Sequence, residues 1–367
     1  MDDESAPALK NWFDEARFRS VAGELAKVHT GFDRKRFLKV ALAGLEELSL
    51  MQRLRRMTFA AHEGMELEFL EAVEVLKELA PKIDHSFVTL FLPDYVASYG
   101  QENFDESMEA LKFFTPFGSS EFAVREFLKM DLKRGLRFMR TWSKDEDEHV
   151  RRLSCEGCRP RLPWSFRLEV LVRDPEPVMP ILDRLKADRS LYVRKSVANH
   201  LNDITKDHPT RVIEILRGWD WSNAHSAWIA KRALRTLIKA GDREALALMG
   251  AGEMAKVKVG AFRVEPRQIK LGEAVAMEAK IQSTSEQTQK LVIDYAVHYV
   301  KKSGGTSAKV FKWKELMLGA GEVLVLRKNQ RIQNFTTRVH HAGWHGVELL
   351  INGEKLAADG FTLNVEG

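Results

Sequence analysis

Residues 149–164, His-Val-Arg-Arg-Leu-Ser-Cys-Glu-Gly-Cys-Arg-Pro-Arg-Leu-Pro-Trp, bring a carboxylate, four arginines and a proline-framed Trp into one helix-to-loop passage. A carboxylate beside an indole can stabilise a developing cation, and arginines around the pair can hold a phosphate backbone. On a helix starting near His149, the residues Arg152, Glu156 and Arg159 stand at i, i+4 and i+7 and share a face, while Val150 and Leu153 point the other way. The same start recurs at Val193-Arg194-Lys195, where the matching face carries Lys195, Asn199 and then Asn202 or Asp203. A ladder of exposed ion pairs worth ~0.5 kcal/mol each would use the same residues, so the spacing leaves both readings open.

Pro160 and Pro163 stiffen the approach to Trp164. Its ring can stack on a base or face a cation where the helices end, or it can close the loop onto the core. Glu121, after Ser119-Ser120, falls in a capped first turn, where a carboxylate also suits the helix dipole. Cys155-Glu156-Gly157-Cys158 lacks the second CxxC or paired histidines that would complete four metal ligands. GxxxxGK[ST], HExxH and GxSxG are absent, which excludes the phosphate-loop, zincin and nucleophile-elbow chemistries those patterns carry. No metal and no nucleotide cofactor is expected.

The elements that must position these residues follow from apolar spacing. From roughly residue 31 to 250 apolar side chains recur every three or four positions, as in Phe37-Val40-Ala41-Leu45 and Leu70-Val73-Leu76-Leu79, which predicts amphipathic helices punctuated by prolines. Val150 and Val193 lie 43 residues apart, and Val193 and Ile229 lie 36 apart, the period of two-helix HEAT-like repeats. Stacked repeats make a curved α-solenoid with an inner face of one helix per repeat. After Gly250-Ala251-Gly252 the pattern changes to period two, in Lys256–Val259, Ala274–Ala279, Leu291–Val297 and Val347–Ile351. About eight short strands there suit an immunoglobulin-like antiparallel β-sandwich without the antibody cysteine pair. The expected division is 1–252 helical and 253–367 β.

At 367 residues the chain is long enough for two cores, and its two cysteines exclude a disulfide scaffold. An acidic start, Met-Asp-Asp-Glu, and the lack of an apolar run near ~20 residues lead to the expectation of a cytoplasmic protein with no membrane partner. Net charge is +5, but it is segregated as −7, +7 and +5 over residues 1–120, 121–252 and 253–367. Such segregation suits a polyanion on the middle and C-terminal parts, and solvated helix faces would look similar. In the last segment Lys301-Lys302, Lys309-Lys312-Lys314 and Arg327-Lys328 could extend such a polyanion-binding surface or simply guard strand edges.

The passage HVRRLSCEGCRPRLPW, with FTPFGSSEFAVREF upstream (114–127) and VRKSVANHLNDITKDHP downstream (193–209), resembles the AlkC branch of HEAT-repeat DNA alkylation-repair glycosylases. The C-terminal β part is similar to that of the AlkC subtype with an immunoglobulin-like domain. The resemblance implies an N-glycosyl hydrolase that removes 3-methyladenine and 3-methylcytosine from kinked double-stranded DNA, without enclosing a flipped base and without a cofactor. It is expected to act as a monomer and to associate with the nucleoid when acting. It implies Glu121, Glu156, Asp203 and Trp164 as catalytic residues, with Arg152 on the DNA. Arg159, Arg161, Arg194 and Lys195 are assigned with Arg152 to the DNA phosphates. A non-enzymatic HEAT scaffold that binds nucleic acid or protein is the alternative.

Overall fold

In the computed structural model, which describes residues 9–335 and 339–365, helices run as far as Leu248 and strands begin at Val257. The α-helices are short, from 5 to 16 residues, a length at which propensity alone does not hold a helix in water. Their stability comes from buried stripes, such as Leu136, Met139 and Trp142 on the Leu132–Trp142 helix. Side chains at the N-caps fix where they start: Asp131, Asp147 and Ser190 each accept from a backbone N–H two or three residues on.

The 43-residue period is visible in hydrogen bonds as well as in burial. Val150 and Val193 are both buried. The next residue in each repeat, Arg151 or Arg194, turns its Nη1 back onto the carbonyls six and five positions earlier. Arg151 donates to Asp145 and Glu146, and Arg194 to Asp188 and Arg189. Arg151 also reaches Asp188 at 2.7 Å, tying the loop ahead of one inner helix to the loop ahead of the next. The two helices they precede, Glu148–Glu156 and Leu191–Ile204, pack directly on each other.

The chain divides into two compact units. One runs through Asp207 and takes in Asp220–Ile229. The other comprises His208–Trp219 and the chain from Ala230 onward. The second unit therefore includes helices as well as strands, because Ile238, Leu246 and Ala251 pack with Val292. Asn352 reinforces this joint, accepting from the Val292 N–H and donating to the carbonyls of Glu253 and Lys290.

Its strands are β1 (Val257–Glu265), β2 (Gln268–Lys270), β3 (Ala274–Ser283), β4 (Gln289–Val300), β5 (Thr306–Leu318), β6 (Val323–Arg331), β7 (Gly343–Ile351) and β8 (Glu354–Asn364). They form sheets ordered β1-β3-β6 and β2-β8-β7-β4-β5, whose inward residues, among them Val264, Met277, Tyr295, Val347 and Phe361, make the sandwich core. The β7–β8 hairpin turns on Asn352-Gly353, both at positive φ (48° and 81°), as a two-residue turn of this hand requires. The helical solenoid followed by an immunoglobulin-like sandwich is thus present, with one correction. The sandwich is not wholly antiparallel, since β2 runs parallel to β8 with Ile269 opposite Leu363. β1 ends at Glu265, ahead of Pro266, which has no N–H to continue a ladder, and β2 lies at the edge of the other sheet.

Candidate active site

Three carboxylates and two guanidiniums alternate in one continuous line within the first unit. Glu121 Oε2 lies 2.6 Å from Arg152 Nη1, and Arg152 Nη2 lies 3.6 Å from Glu156 Oε1. Arg159 then bridges Glu156 Oε1 at 2.6 Å and Asp203 Oδ2 at 2.8 Å, and Lys206 Nζ ends the line 3.2 Å from Asp203 Oδ1. Glu121 comes from the turn before the Val124–Met130 helix, Glu156 from the last residue of the Glu148–Glu156 helix, and Asp203 from the Leu191–Ile204 helix. Packing of the last two helices brings Glu156 and Asp203 to the same guanidinium. Alternation is what makes such burial tolerable, because an unpaired carboxylate here would lose its hydration with nothing in return.

Glu156 is only 5% exposed, yet it lines a cleft of about 610 Å³ together with Glu121, Arg159, Trp164 and Tyr192. Its Oε1 accepts from Arg159, and its Oε2 accepts a 2.6 Å hydrogen bond from the Ser196 hydroxyl. At 3.6 Å the Arg152 nitrogen is too far to count as a hydrogen bond. A carboxylate has about four acceptor sites, so about two remain for a water or for a cation facing the cleft. Glu121 is held by Arg152 and by the Ser119 hydroxyl, which donates to it at 2.8 Å.

Burial works against the charge on Arg159, but the Glu156 and Asp203 carboxylates outweigh it and hold its pKa above the ordinary arginine value. Arg152 follows the same logic: burial opposes the charge, and Glu121 and Glu156 overcome it. The Arg152 guanidinium also lies over the Tyr192 ring at 4.7 Å. The two neighbouring thiols are buried, and burial raises Cys155 well above its usual pKa and pushes Cys158 up to about 12, which disfavours the thiolate.

Trp164 does not close the core. Its side chain is 72% exposed at the cleft and its backbone sits at φ +65°, a left-handed conformation that bulky residues seldom adopt.

The residues expected at phosphates differ in how they are held. Arg159 is not on the helix, which ends at Glu156; it lies in the following turn, buried between two carboxylates. Arg152 is largely enclosed by Glu121, Ser119 and Glu156. Arg194 turns its Nη1 onto its own preceding loop, as Arg151 does. Each of these arginines has charge or donors engaged inside the fold. Arg161 pairs with Asp207 at 2.7 Å on a partly exposed surface, and Lys195 is exposed. On the Leu191–Ile204 helix it is Ser196, not Lys195, that bonds to Glu156, and Asp203 that meets Arg159. The sequence repeat pairs Arg152 with Lys195, whereas the contacts fall one residue later.

Ser196, Tyr192 and Arg125 are site residues that sequence reasoning missed. Ser196 had a signal, because Ser196 and Asp203 share the seven-residue spacing of Arg152 and Arg159. Tyr192 and Arg125 had none, for their roles depend on neighbours far along the chain. Asp203 is absent from the lining of the cleft and reaches it through Arg159. Among the described residues, no three His, Cys, Asp or Glu side chains gather as metal ligands, and no helix is long and apolar enough to cross a membrane.

Comparison with known proteins bears on both units. Residues 115–237 match the family model described as DNA alkylation repair enzyme, and residues 258–365 match that of the uncharacterised protein YhaZ, C-terminal Ig-like domain. YhaZ of Bacillus subtilis (strain 168) is 39% identical over 347 residues, covering 94% of this chain and 96% of its own. The structure of Pseudomonas fluorescens alkylpurine DNA glycosylase AlkC bound to DNA containing an abasic site analog superposes with a TM-score of 0.96 at 52% identity, covering 98% of this chain and all of that one. With likeness of that extent over helices and sandwich together, the chain belongs to the AlkC family of DNA alkylation-repair glycosylases.

Proposed function

We propose that the protein excises positively charged N3-alkylated bases, 3-methylcytosine and 3-methyladenine, from double-stranded DNA, leaving an abasic site. The observation that carries this reading is Glu156, a carboxylate fixed on both oxygens by Arg159 and Ser196 and still facing a cleft. An N3-alkylated base already carries positive charge. When the C1′–N bond breaks, the bonding pair neutralises the departing base, so no strong general acid is required. The difficult species is the cationic deoxyribose. One carboxylate ~4 Å from it, at an effective dielectric near 20, contributes about 4 kcal/mol, and ~1.4 kcal/mol is tenfold in rate.

Glu156 stabilises that cation and orients the water that forms the new C1′–O bond, with the water's proton passing to a carboxylate or solvent. Glu121 assists directly, and Asp203 assists by holding Arg159. Trp164 packs against the deoxyribose or the cationic base at the mouth of the cleft, without a pocket closing round an extruded base. Lys195 and Arg161 are assigned to phosphates. Support comes from the line of fixed carboxylates and from the likeness to a glycosylase bound to abasic-site DNA.

The test is incubation of purified protein with a duplex carrying one 3-methylcytosine or 3-methyladenine. Strand breaks at the lesion after alkali are expected. Intact strands after long incubation with both lesions, despite tight binding, would assign the fold to a non-enzymatic scaffold.

A further inference from the structure

Arg125 is a charged residue without a salt bridge among the described residues. Its side chain is wholly buried, and its hydrogen bonds there all end on main-chain carbonyls. Nη1 donates to Gly157 at 2.9 Å and to Arg159 at 2.7 Å, and Nη2 donates to Phe166. The Phe166 ring covers the guanidinium at 5.3 Å, and Nε has no hydrogen-bond partner among the described residues. Burying a cation this way carries a large desolvation penalty, which a residue serving only to fill the core would avoid.

The three gripped carbonyls lie on both sides of Trp164. Two precede it, at 157 and 159, and one follows, at 166. Between them the loop is closed by the Leu168 N–H donating to Pro160 at 3.1 Å and the Ser165 N–H donating to Leu162 at 3.3 Å. Trp164 itself is exposed and its φ is left-handed, so its ring has little packing to hold it, and its backbone needs an outside restraint to stay where it is. Gly157 allows the clamp to come close: a Cβ there would stand 2.5 Å from Val124 Cγ1, on the residue next to Arg125. The gripped Arg159 also carries the guanidinium that joins Glu156 to Asp203.

We infer that Arg125 is a positioning residue, whose forked guanidinium clamps the main chain before and after Trp164 and so sets the indole at the mouth of the cleft that Glu121 and Glu156 line. Arg125 touches no substrate. It acts through Trp164, and this role rests on the glycosylase reading above.

The experiment is a double-mutant cycle of Arg125→Lys with Trp164→Ala. Lys keeps the charge but cannot present a planar fork to three carbonyls. In single-turnover excision of 3-methylcytosine from duplex DNA, R125K is expected to slow the rate about ten- to a hundredfold in the wild-type background and less than about twofold in the W164A background. Affinity of R125K for undamaged duplex should stay within about twofold of the wild type. Equal slowing in both backgrounds, or no slowing by R125K, overturns the inference. Should R125K not fold, Phe166→Leu removes the ring from the guanidinium while leaving Arg125 in place, and the same cycle is read. Should the wild type release no base, the glycosylase reading fails on its own. The clamp is then judged on Kd for a duplex with an abasic-site analogue, where coupling between the two substitutions supports it and additivity overturns it.

Discussion

At Glu156 the two carboxylate oxygens have different tasks. Oε1 is bound to Arg159, which is bound in turn to Asp203, and Oε2 takes the Ser196 hydroxyl. A carboxylate so held needs little reorganisation when charge develops beside it, which is the condition under which a fixed group lowers a barrier most. Glu156→Gln keeps the shape and removes the charge. It is expected to slow excision of a charged base by about a hundred- to a thousandfold with little change in affinity for undamaged duplex, read as single-turnover rate against Kd. A loss of less than tenfold would move the role to Glu121. The spacing of Arg152, Glu156 and Arg159 was legible in the chain. The burial of Arg159 was not, because it depends on Asp203, a residue 44 positions away.

The Leu191–Ile204 helix carries Ser196, His200 and Asp203 toward the Glu148–Glu156 helix, so one face supports the site and also builds the packing beneath it. His200 lies between these two tasks. Its Nδ1–H donates to the Cys155 carbonyl at 3.0 Å, and its Nε2 is buried without a hydrogen-bond partner among the described residues. Burial, with Arg159 nearby, pushes its pKa down to about 3. The unfolded chain protonates the same imidazole near pH 6.5. Since the unfolded state binds the extra proton, the stability that His200 contributes is complete above pH 6.5 and is lost as pH falls toward 3. Its full loss is on the order of 5 kcal/mol by the linkage of about 1.4 kcal/mol per unit. Thermal melts from pH 7 to pH 4 should therefore show a steeper decline for the wild type than for His200→Gln, which cannot take up a proton. Parallel declines would mean that carboxylates elsewhere set the acid limit. The helix was predictable from the recurring Val193-Arg194-Lys195 start, but nothing in the period marks His200 as a buried neutral imidazole.

Over the whole molecule the positive charge assigned to the last 115 residues falls largely on exposed side chains. Arg327, which pairs with Glu278 at 2.6 Å, and Lys312, which pairs with Glu315 at 2.5 Å, are exposed, as are Lys301, Lys302, Lys309 and Lys314. β5, which carries Lys309, Lys312 and Lys314, is an edge strand, where lysines also discourage strand pairing between molecules. The two readings separate by salt. If these lysines meet phosphates, replacing Lys301, Lys302, Lys309 and Lys314 together by Gln should flatten the dependence of log K on log salt by ~0.9 for each phosphate no longer neutralised. An unchanged slope with increased self-association would leave them as edge guards. Point substitutions suit this test better than removal of residues 253–367, because Ile238 and Leu246 share a cluster with Val292 and a cut at 252 would open it.

Local physics, written in short-range patterns, reaches a long way in this chain. Three-to-four spacing makes helices, alternation makes strands, an Asn-Gly pair at positive φ makes the β7–β8 turn, and a recurring Val-basic start makes the repeat, so helices followed by a sandwich could be read directly. Pairing across repeats depends instead on the rotation of one helix against its neighbour, and a shift of one residue turns a side chain about 100°. That rotation put Ser196 rather than Lys195 against Glu156, enclosed Arg159 between two carboxylates and brought Arg125 under the Trp164 loop. A spacing rule has no term for such meetings, because burial and charge compensation are properties of the packed molecule.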